Sequence, residues 1–196
     1  MSSFNIYMCG VGGQGIGMLA EVLSRACLDA GHKIMGCDTH GLAQRGGIVV
    51  SHLRIGVEAR TPRVPDWNAD LVIALERLEA LRAADAMLAS GGTVIYYDTI
   101  YQPIHVRMGK TSYPEADALE EKVKTRGGKV ERVQLDGIED PRMQNVALLG
   151  RLAATGVVEG VSAQTIEQVL RDALPAKALA ANLAVFEQAA EKTAPQ

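Results

Sequence analysis

Hydrophobic residues over the first 40 positions predict two strands joined by one helix. Phe4 to Cys9 is a short apolar run with β propensity, and a glycine-rich turn follows it. Apolar residues then recur at the i, i+3, i+4, i+7 and i+8 spacing of one helix face: Leu19, Val22, Leu23, Ala26 and Cys27. Gly31 supplies a helix stop, and His32 to Asp38 forms the second strand. This βαβ unit predicts a parallel pair of strands with a right-handed crossover.

The third strand, Ile48 to Ile55, begins about ten residues after the second, which leaves no room for a crossover helix. We therefore expect it to run antiparallel to the second strand. Its alternation places His52 and Arg54 on one face, as in a strand near a sheet edge.

The middle of the chain continues the alternation of strands and helices. Buried strands are predicted at Ala69–Leu75 and Gly92–Tyr97, with a helix at Leu78–Leu88 between them. The charged stretch Glu115–Arg126 predicts a surface helix, and Lys129–Leu135 predicts a further strand.

Helices close the chain. Asp140 before Pro141 is typical of a helix start, and a hydrophobic staple surrounds a serine cap at Ser162. The final helix carries one apolar face with Leu179, Leu183 and Phe186. The whole pattern predicts an α/β, Rossmann-like three-layer fold with a mostly parallel sheet and one antiparallel strand.

Composition narrows the class of protein. The 196 residues, 47% of them hydrophobic, fit a single domain over residues 1–196. The net charge of −3 favours neither nucleic acid nor an anionic membrane as partner. The chain shows neither a secretory signal nor an apolar run of about 18 residues. Cys9, Cys27 and Cys37 lack metal-ligand spacing, so we expect a reduced, cytoplasmic chain without a metal of its own.

Glycines with GxGxxG spacing follow the first strand: Gly10, Gly12 and Gly15. Such glycines allow a tight turn, and the N–H groups of the helix start can bind a phosphate or carboxylate. Asp38 lies 23 residues beyond Gly15, where a dinucleotide fold places its ribose-binding acid. Further glycines suggest instead that another backbone packs closely. The candidate anion or partner loop comprises Gly10, Gly12, Gly13, Gln14 and Gly15.

A second candidate loop, His40 to Gly47, is expected to face the glycine-rich turn, because parallel strands end at the same edge of a sheet. His40, Gln44 and Arg45 can bind a carboxylate or phosphate of a substrate or partner there, since arginine offers a planar fork of donors. A polar turn without a ligand is the alternative. Glu76 and Asp98 also follow strands, and we expect them to cap helices or anchor loops. No catalytic residue is assigned.

These motifs together resemble a known family. Matching stretches occur in order along nearly the whole chain: Gly10–Gly15 (GVGGQG), His40–Gly47 (HGLAQRGG), Val49–Gly56 (VVSHLRIG), Ala69–Arg82 (ADLVIALERLEALR), Tyr113–Pro114 and Asn145–Gly150 (NVALLG). HGxAQRGG followed by SHxR is the specific part. The chain resembles the beta subunit of indolepyruvate:ferredoxin oxidoreductase, the counterpart of the gamma subunit or domain of other 2-oxoacid:ferredoxin oxidoreductases.

The resemblance implies a gamma-type domain in a thiamine diphosphate-dependent enzyme. That enzyme converts a 2-oxoacid, here indolepyruvate or another arylpyruvate, to an acyl-CoA, releases CO2 and passes two electrons to ferredoxin. Thiamine diphosphate and iron–sulfur clusters are expected on a large alpha subunit, with CoA as co-substrate. The chain alone is expected to bind none of these cofactors, to be inactive and to be capable of forming a homodimer. A free-standing NAD(P)-binding Rossmann dehydrogenase that uses Asp38 is the alternative.

Overall fold

The computed structural model describes residues 3–40, 47–56, 60–100, 108–109, 113–138 and 140–191. Its strands and helices follow one another in the order that the hydrophobic pattern predicts. The strands are β1 (Phe4–Val11), β2 (Ile34–His40), β3 (Ile48–Ile55), β4 (Ala69–Ala74), β5 (Leu88–Tyr97) and β6 (Lys129–Val133). The helices are α1 (Ile16–Asp29), α2 (Arg77–Ala86), α3 (Ala116–Lys124), α4 (Gln144–Thr155), α5 (Ala163–Ala173) and α6 (Ala176–Glu191), with a 3-10 turn at Pro141–Met143 before α4.

The strands form one sheet in the order β2-β3-β1-β4-β5-β6. β3 is antiparallel to β2, as predicted, and it is also antiparallel to β1, so β1 and β2 run in the same direction. They are not neighbours, and the prediction of a directly paired βαβ unit is therefore wrong. β3 pairs with β1 along its whole length and buries Leu53 and Ile55, whereas Gly36, Asp38 and Thr39 of β2 are exposed. The more polar strand takes the edge, where one side needs no partner strand.

Helices cover both faces of the sheet. α1, α4, α5 and α6 pack on one face, and α2 and α3 pack on the other. The first face buries residues such as Leu19 and Phe186, and the second buries Ala80 and Leu119. This arrangement confirms the predicted α/β three-layer fold. Within the described ranges, no helix has the length and apolar character needed to cross a bilayer.

Local sequence signals account for most element ends. All five residues predicted for the inner face of α1 are buried, and Gly31 follows the helix with φ 83°. Ser162 caps α5 by accepting a hydrogen bond from the Thr165 N–H at 3.1 Å. These ends depend on contacts within one turn of helix, which the local sequence specifies.

The boundary between α2 and β5 differs from the prediction. Leu88, predicted as the last residue of the helix, is the first residue of β5 and pairs with Ala69 of β4. β5 thus begins four residues before Gly92, where the sequence predicts its start. The close approach of β4 explains this course, since a Cβ at Gly92 would lie 3.0 Å from the Ala69 carbonyl oxygen.

Candidate functional site

The order of strands in the sheet reverses between β1 and β4. The connection after β1 leads through α1 to β2 and β3 on one side, and the connection after β4 leads through α2 to β5 on the other. The crevice outside the carboxyl ends of two such strands is the usual ligand site of open α/β sheets. The glycine-rich turn and the segment after β4 border this crevice.

The glycine-rich turn carries backbone conformations that favour glycine. Gly13 and Gly15 have φ of 105° and 86°, both in the left-handed region. α1 begins directly after Gly15, which has no side chain to cap the helix. Because the first N–H groups of a helix lack acceptors within the helix, this end of α1 is suited to an anion.

Gln14 is turned into the protein rather than toward the crevice. Its side-chain oxygen accepts from the Val11 N–H at 2.7 Å, and its amide nitrogen donates to the Leu75 carbonyl at 2.6 Å. The residue is 3% exposed. A Cβ at Gly10 would lie 3.0 Å from the same side-chain oxygen, so Gly10 makes room for Gln14. Gln14 thus ties the turn to the end of β4.

Asn145 at the start of α4 reaches the same turn from 130 residues away. Its amide nitrogen donates to the Gly15 carbonyl at 3.3 Å, and a Cβ at Gly15 would lie 2.6 Å from that nitrogen. Asn145 is 4% exposed, and its side-chain oxygen has no hydrogen-bond partner among the described residues. The sequence assigned no role to Asn145, although a polar residue directly before the apolar run VALLG was a usable signal.

The second candidate loop, His40 to Gly47, contacts the glycine-rich turn through Gly47. The Gly12 N–H donates to the Gly47 carbonyl at 2.8 Å, and Ile48 pairs with Val11. β2 ends at His40 on the same edge of the sheet. The His40 side chain and the whole of Gln44 and Arg45 lie outside the described residues, so their part in ligand or partner binding stays a prediction.

Asp38 does not occupy the position that a dinucleotide-binding site requires. β3 separates β2 from β1 and adds a strand spacing of about 4.8 Å between Asp38 and the glycine-rich turn. The Asp38 carboxylate instead accepts a hydrogen bond from the Ser51 hydroxyl of β3. The alternative of an NAD(P)-dependent dehydrogenase loses its geometric basis.

Glu76 follows β4 and is fully buried. It caps α2 by accepting from the Glu79 N–H at 2.9 Å, and it also accepts from the Tyr113 hydroxyl. Burial, with the neighbouring Glu76 carboxylate, raises the pKa of Tyr113. The Arg77 guanidinium lies 5.6 Å from the centre of the Tyr113 ring. These contacts hold the connection before α3 against the start of α2.

Asp98 follows β5 and binds two arginine side chains. Arg77 donates to it at 2.6 Å, and Arg132 of β6 forms a second ion pair. The Asp98 side chain is 1% exposed, so these arginines neutralise a carboxylate that is shielded from water. Glu76 therefore caps a helix, as expected, whereas Asp98 joins the start of α2 to β6.

Burial makes Cys9 and Cys27 poor nucleophiles. Burial raises the pKa of Cys27 to about 12 and that of Cys9 well above its ordinary value, which keeps both as thiols. Cys37 is half-buried on β2. Across the part of the chain that the structure describes, no group of three His, Cys, Asp or Glu side chains is arranged to hold a metal ion.

Comparison with known proteins points to one family. The family model described as pyruvate ferredoxin/flavodoxin oxidoreductase matches residues 5–192. Indolepyruvate oxidoreductase subunit IorB of Thermococcus kodakarensis is 34% identical, over 95% of this chain and 94% of that protein. The protein of the same name from Pyrococcus horikoshii is 33% identical over the same shares.

Solved structures share the fold. Pyruvate oxidoreductase subunit PORC of Thermotoga maritima superposes with a TM-score of 0.70 at 22% identity and covers 98% of this chain and 97% of that one. A 2-oxoglutarate:ferredoxin oxidoreductase of Magnetococcus marinus, solved with 2-oxoglutarate, coenzyme A and succinyl-CoA bound, gives a TM-score of 0.67 at 19% identity. All of this chain matches 32% of that longer chain.

Proposed function

The chain belongs to the pyruvate ferredoxin/flavodoxin oxidoreductase family and is a subunit of a 2-oxoacid:ferredoxin oxidoreductase, and we propose indolepyruvate or another arylpyruvate as the substrate of the enzyme. The relatives named as indolepyruvate oxidoreductase subunits support this substrate class. We propose further that residues 1–196 form one gamma-type domain and that the complex is cytoplasmic. Its overall reaction is the oxidative decarboxylation of the 2-oxoacid to an acyl-CoA, with two electrons passed to ferredoxin.

The redox and carbanion chemistry is assigned to the large alpha subunit. Thiamine diphosphate and iron–sulfur clusters, held by that subunit, would supply the decarboxylation and electron-transfer chemistry. The described cysteines do not fit an iron–sulfur cluster, because they are few and dispersed and two of the three are buried. We therefore expect the chain alone to have no turnover.

The glycine-rich turn is the part of this chain that we assign to ligand binding. The observation that carries this assignment is the start of α1, which has no side-chain cap and lies at the crevice between β1 and β4. Gln14 and Asn145 hold the turn from inside, so its backbone N–H groups are oriented before a ligand arrives. A phosphate of CoA is the anion that fits both this end of α1 and the proposed reaction.

Co-expression with the large subunit tests the proposed function. The purified complex is expected to reduce ferredoxin with indolepyruvate or another arylpyruvate and CoA, at a higher kcat/KM than with pyruvate or 2-oxoglutarate. A complex that forms but prefers a small aliphatic 2-oxoacid would refute the substrate class. Iron bound stoichiometrically to the chain alone would refute the assignment of clusters to the partner.

Arg45→Ala tests the second candidate loop in the same complex. Loss of a charge-assisted hydrogen bond, worth about 1.5–3 kcal/mol, should raise the KM for CoA or weaken assembly by about 10- to 150-fold. The melting temperature should not change, because in this proposal the partner of Arg45 lies outside the chain. Arg171→Ala, which removes a surface arginine paired with Glu167 on α5, is the matched control. Wild-type kinetics and assembly in Arg45→Ala would exclude a ligand or partner role for this arginine.

A further inference from the structure

A groove with a volume of about 520 Å³ lies between α1 and the edge strand β2. On the helix it is lined by Gly17, Ala20 and Ser24, and on the sheet by residues that include Gly36 of β2 and Ser51 of β3. Small side chains on both elements leave this space open. Its volume is within the range of small-molecule binding sites in proteins.

The groove is continuous with the candidate anion site at the start of α1. Gly17 lines the groove and belongs to the first turn of α1, whose N–H groups have no acceptor within the helix. A Cβ at Gly17 would meet no heavy atom outside the α1 backbone within 4 Å, so the groove is open directly above this residue. From Gly17 to Ser24 the helix rises about 10 Å. A ligand whose anion binds at the turn therefore has room to extend along α1.

The charges of the groove favour an uncharged ligand segment that donates hydrogen bonds. Oδ1 of Asp38 accepts from the Ser51 hydroxyl, whereas no described residue donates to Oδ2, and Asp38 is exposed. The second acid, Glu21, is paired with Arg25 at 2.7 Å. None of the described residues that line the groove is Lys or Arg. A further phosphate would thus be repelled here, whereas an N–H or O–H donor finds a free carboxylate oxygen.

The insertion of β3 between β1 and β2 sets the distance that the ligand must span. In a dinucleotide fold the acid follows the strand next to β1 and binds a ribose hydroxyl near the phosphate. Here Asp38 lies one strand spacing, about 4.8 Å, farther from the turn. A donor that reaches Asp38 must therefore lie farther along the ligand from its phosphate than a ribose hydroxyl does.

The pantetheine arm of CoA meets these conditions. It is an uncharged, narrow chain whose amide N–H groups lie progressively farther from the diphosphate. The nucleotide half carries a further phosphate and a purine ring, for which the lining residues offer neither a cation nor a large apolar side chain. We propose, on the basis of the CoA site proposed above, that the groove holds the pantetheine arm and that Oδ2 of Asp38 accepts from one of its amide N–H groups. Because β2 is an edge strand, the thiol end can leave the groove and reach the large subunit.

Calorimetry on the purified complex separates the two halves of CoA. Phosphopantetheine carries one half of the molecule, and adenosine 3′,5′-bisphosphate carries the other. Gly17→Leu and Asp38→Ala should each raise the Kd of phosphopantetheine by at least about 10-fold, the loss expected for one strong polar contact. The Kd of adenosine 3′,5′-bisphosphate should stay the same in both variants.

Leucine at position 17 blocks the groove without disturbing the fold. Gly17 is helical, its surroundings leave space for a side chain, and leucine favours a helix more than glycine does. The melting temperature of Gly17→Leu should therefore be no lower than that of the wild type. Ala184→Leu, which adds an exposed leucine on α6, is the matched control and should leave both Kd values unchanged.

The Asp38 variants test the hydrogen bond itself. Loss of a charge-assisted bond in Asp38→Ala should raise the Kd of phosphopantetheine by about 10- to 150-fold. Asp38→Asn retains an acceptor oxygen and should recover part of this affinity. Asp29→Ala removes the same charge at the far end of α1 and should have no effect.

Two results would overturn the proposal and leave the proposed function intact. One is a complex that binds phosphopantetheine equally well in the wild type and in Gly17→Leu. The other is a loss of affinity confined to adenosine 3′,5′-bisphosphate, which would place the nucleotide half in the groove. A wild-type complex that binds neither CoA nor its two halves would instead refute the proposed function.

Discussion

Replacing Gln14 by alanine tests whether the glycine-rich turn is held by its own side chain. Both polar ends of the Gln14 amide are used inside the protein, on the Val11 N–H and the Leu75 carbonyl. Gln14→Ala would leave these two buried backbone groups without their partners. An unpaired buried group costs about 1–3 kcal/mol, so we expect a loss of about 3 kcal/mol in the free energy of unfolding.

Thermal and urea denaturation of the chain alone measure this loss. For a chain of this size, 1 kcal/mol corresponds to about 2–4 °C, so the melting temperature should fall by about 6–12 °C. Gln188→Ala is the matched control, because Gln188 is exposed on α6 and its replacement should shift stability by about 0.5 kcal/mol or less.

The opposite outcome is also informative. If Gln14→Ala melts with the wild type but the complex loses affinity for CoA, Gln14 contacts the ligand and the internal hydrogen bonds are not its role. A fall in both stability and affinity agrees with the argument, since a turn that has lost its support no longer orients the N–H groups of α1.

Three further predictions concern stability. Gly15→Ala should lower the free energy of unfolding by about 1–2 kcal/mol, because φ is 86° and the new Cβ would lie 2.6 Å from the Asn145 side chain. Gly17→Ala, within α1, has free space for the Cβ and should raise the free energy of unfolding by about 0.5–1 kcal/mol. Equal melting temperatures of the two variants would contradict this. Asp98→Asn should lower the free energy of unfolding, measured in urea, by about 3 kcal/mol, because it leaves two arginines without their buried counter-ion. Asp66→Asn, which removes an exposed ion pair, should lower it by less than about 0.5 kcal/mol. Burial raises the pKa of Glu79 above its ordinary value of 4.5, so the folded state favours the protonated carboxyl. The stability that this group contributes is therefore fully present below pH 4.5, and it is lost as pH rises through the raised pKa. Glu79→Gln should therefore gain stability relative to the wild type between pH 4.5 and 8, and a constant difference over that range would disprove the assignment.

Local patterns in the sequence were sufficient for most elements and for the family. The inner face of α1, the serine cap of α5 and the antiparallel course of β3 follow from side-chain spacing, capping chemistry and loop length, all of which act over a few residues. The HGLAQRGG and SHLR segments identified the family because long exact motifs are rare by chance.

The candidate site was only partly predictable from the sequence. Spacing located the glycine-rich turn at the end of β1, and the fold places it at the crevice as expected. The inward direction of Gln14 was not predictable, because a polar residue in a turn more often faces water. The contact between Asn145 and Gly15 joins residues 130 positions apart, and no local pattern encodes such a pair.

Strand order and long-range contacts were decided by the tertiary structure. Periodicity shows which side of a strand is apolar, but it does not show which strand lies beside it, and the insertion of β3 between β1 and β2 depends on how well their full lengths pair. Spacing along the chain determines the elements, whereas their neighbours depend on the mutual fit of surfaces that meet only when the chain folds.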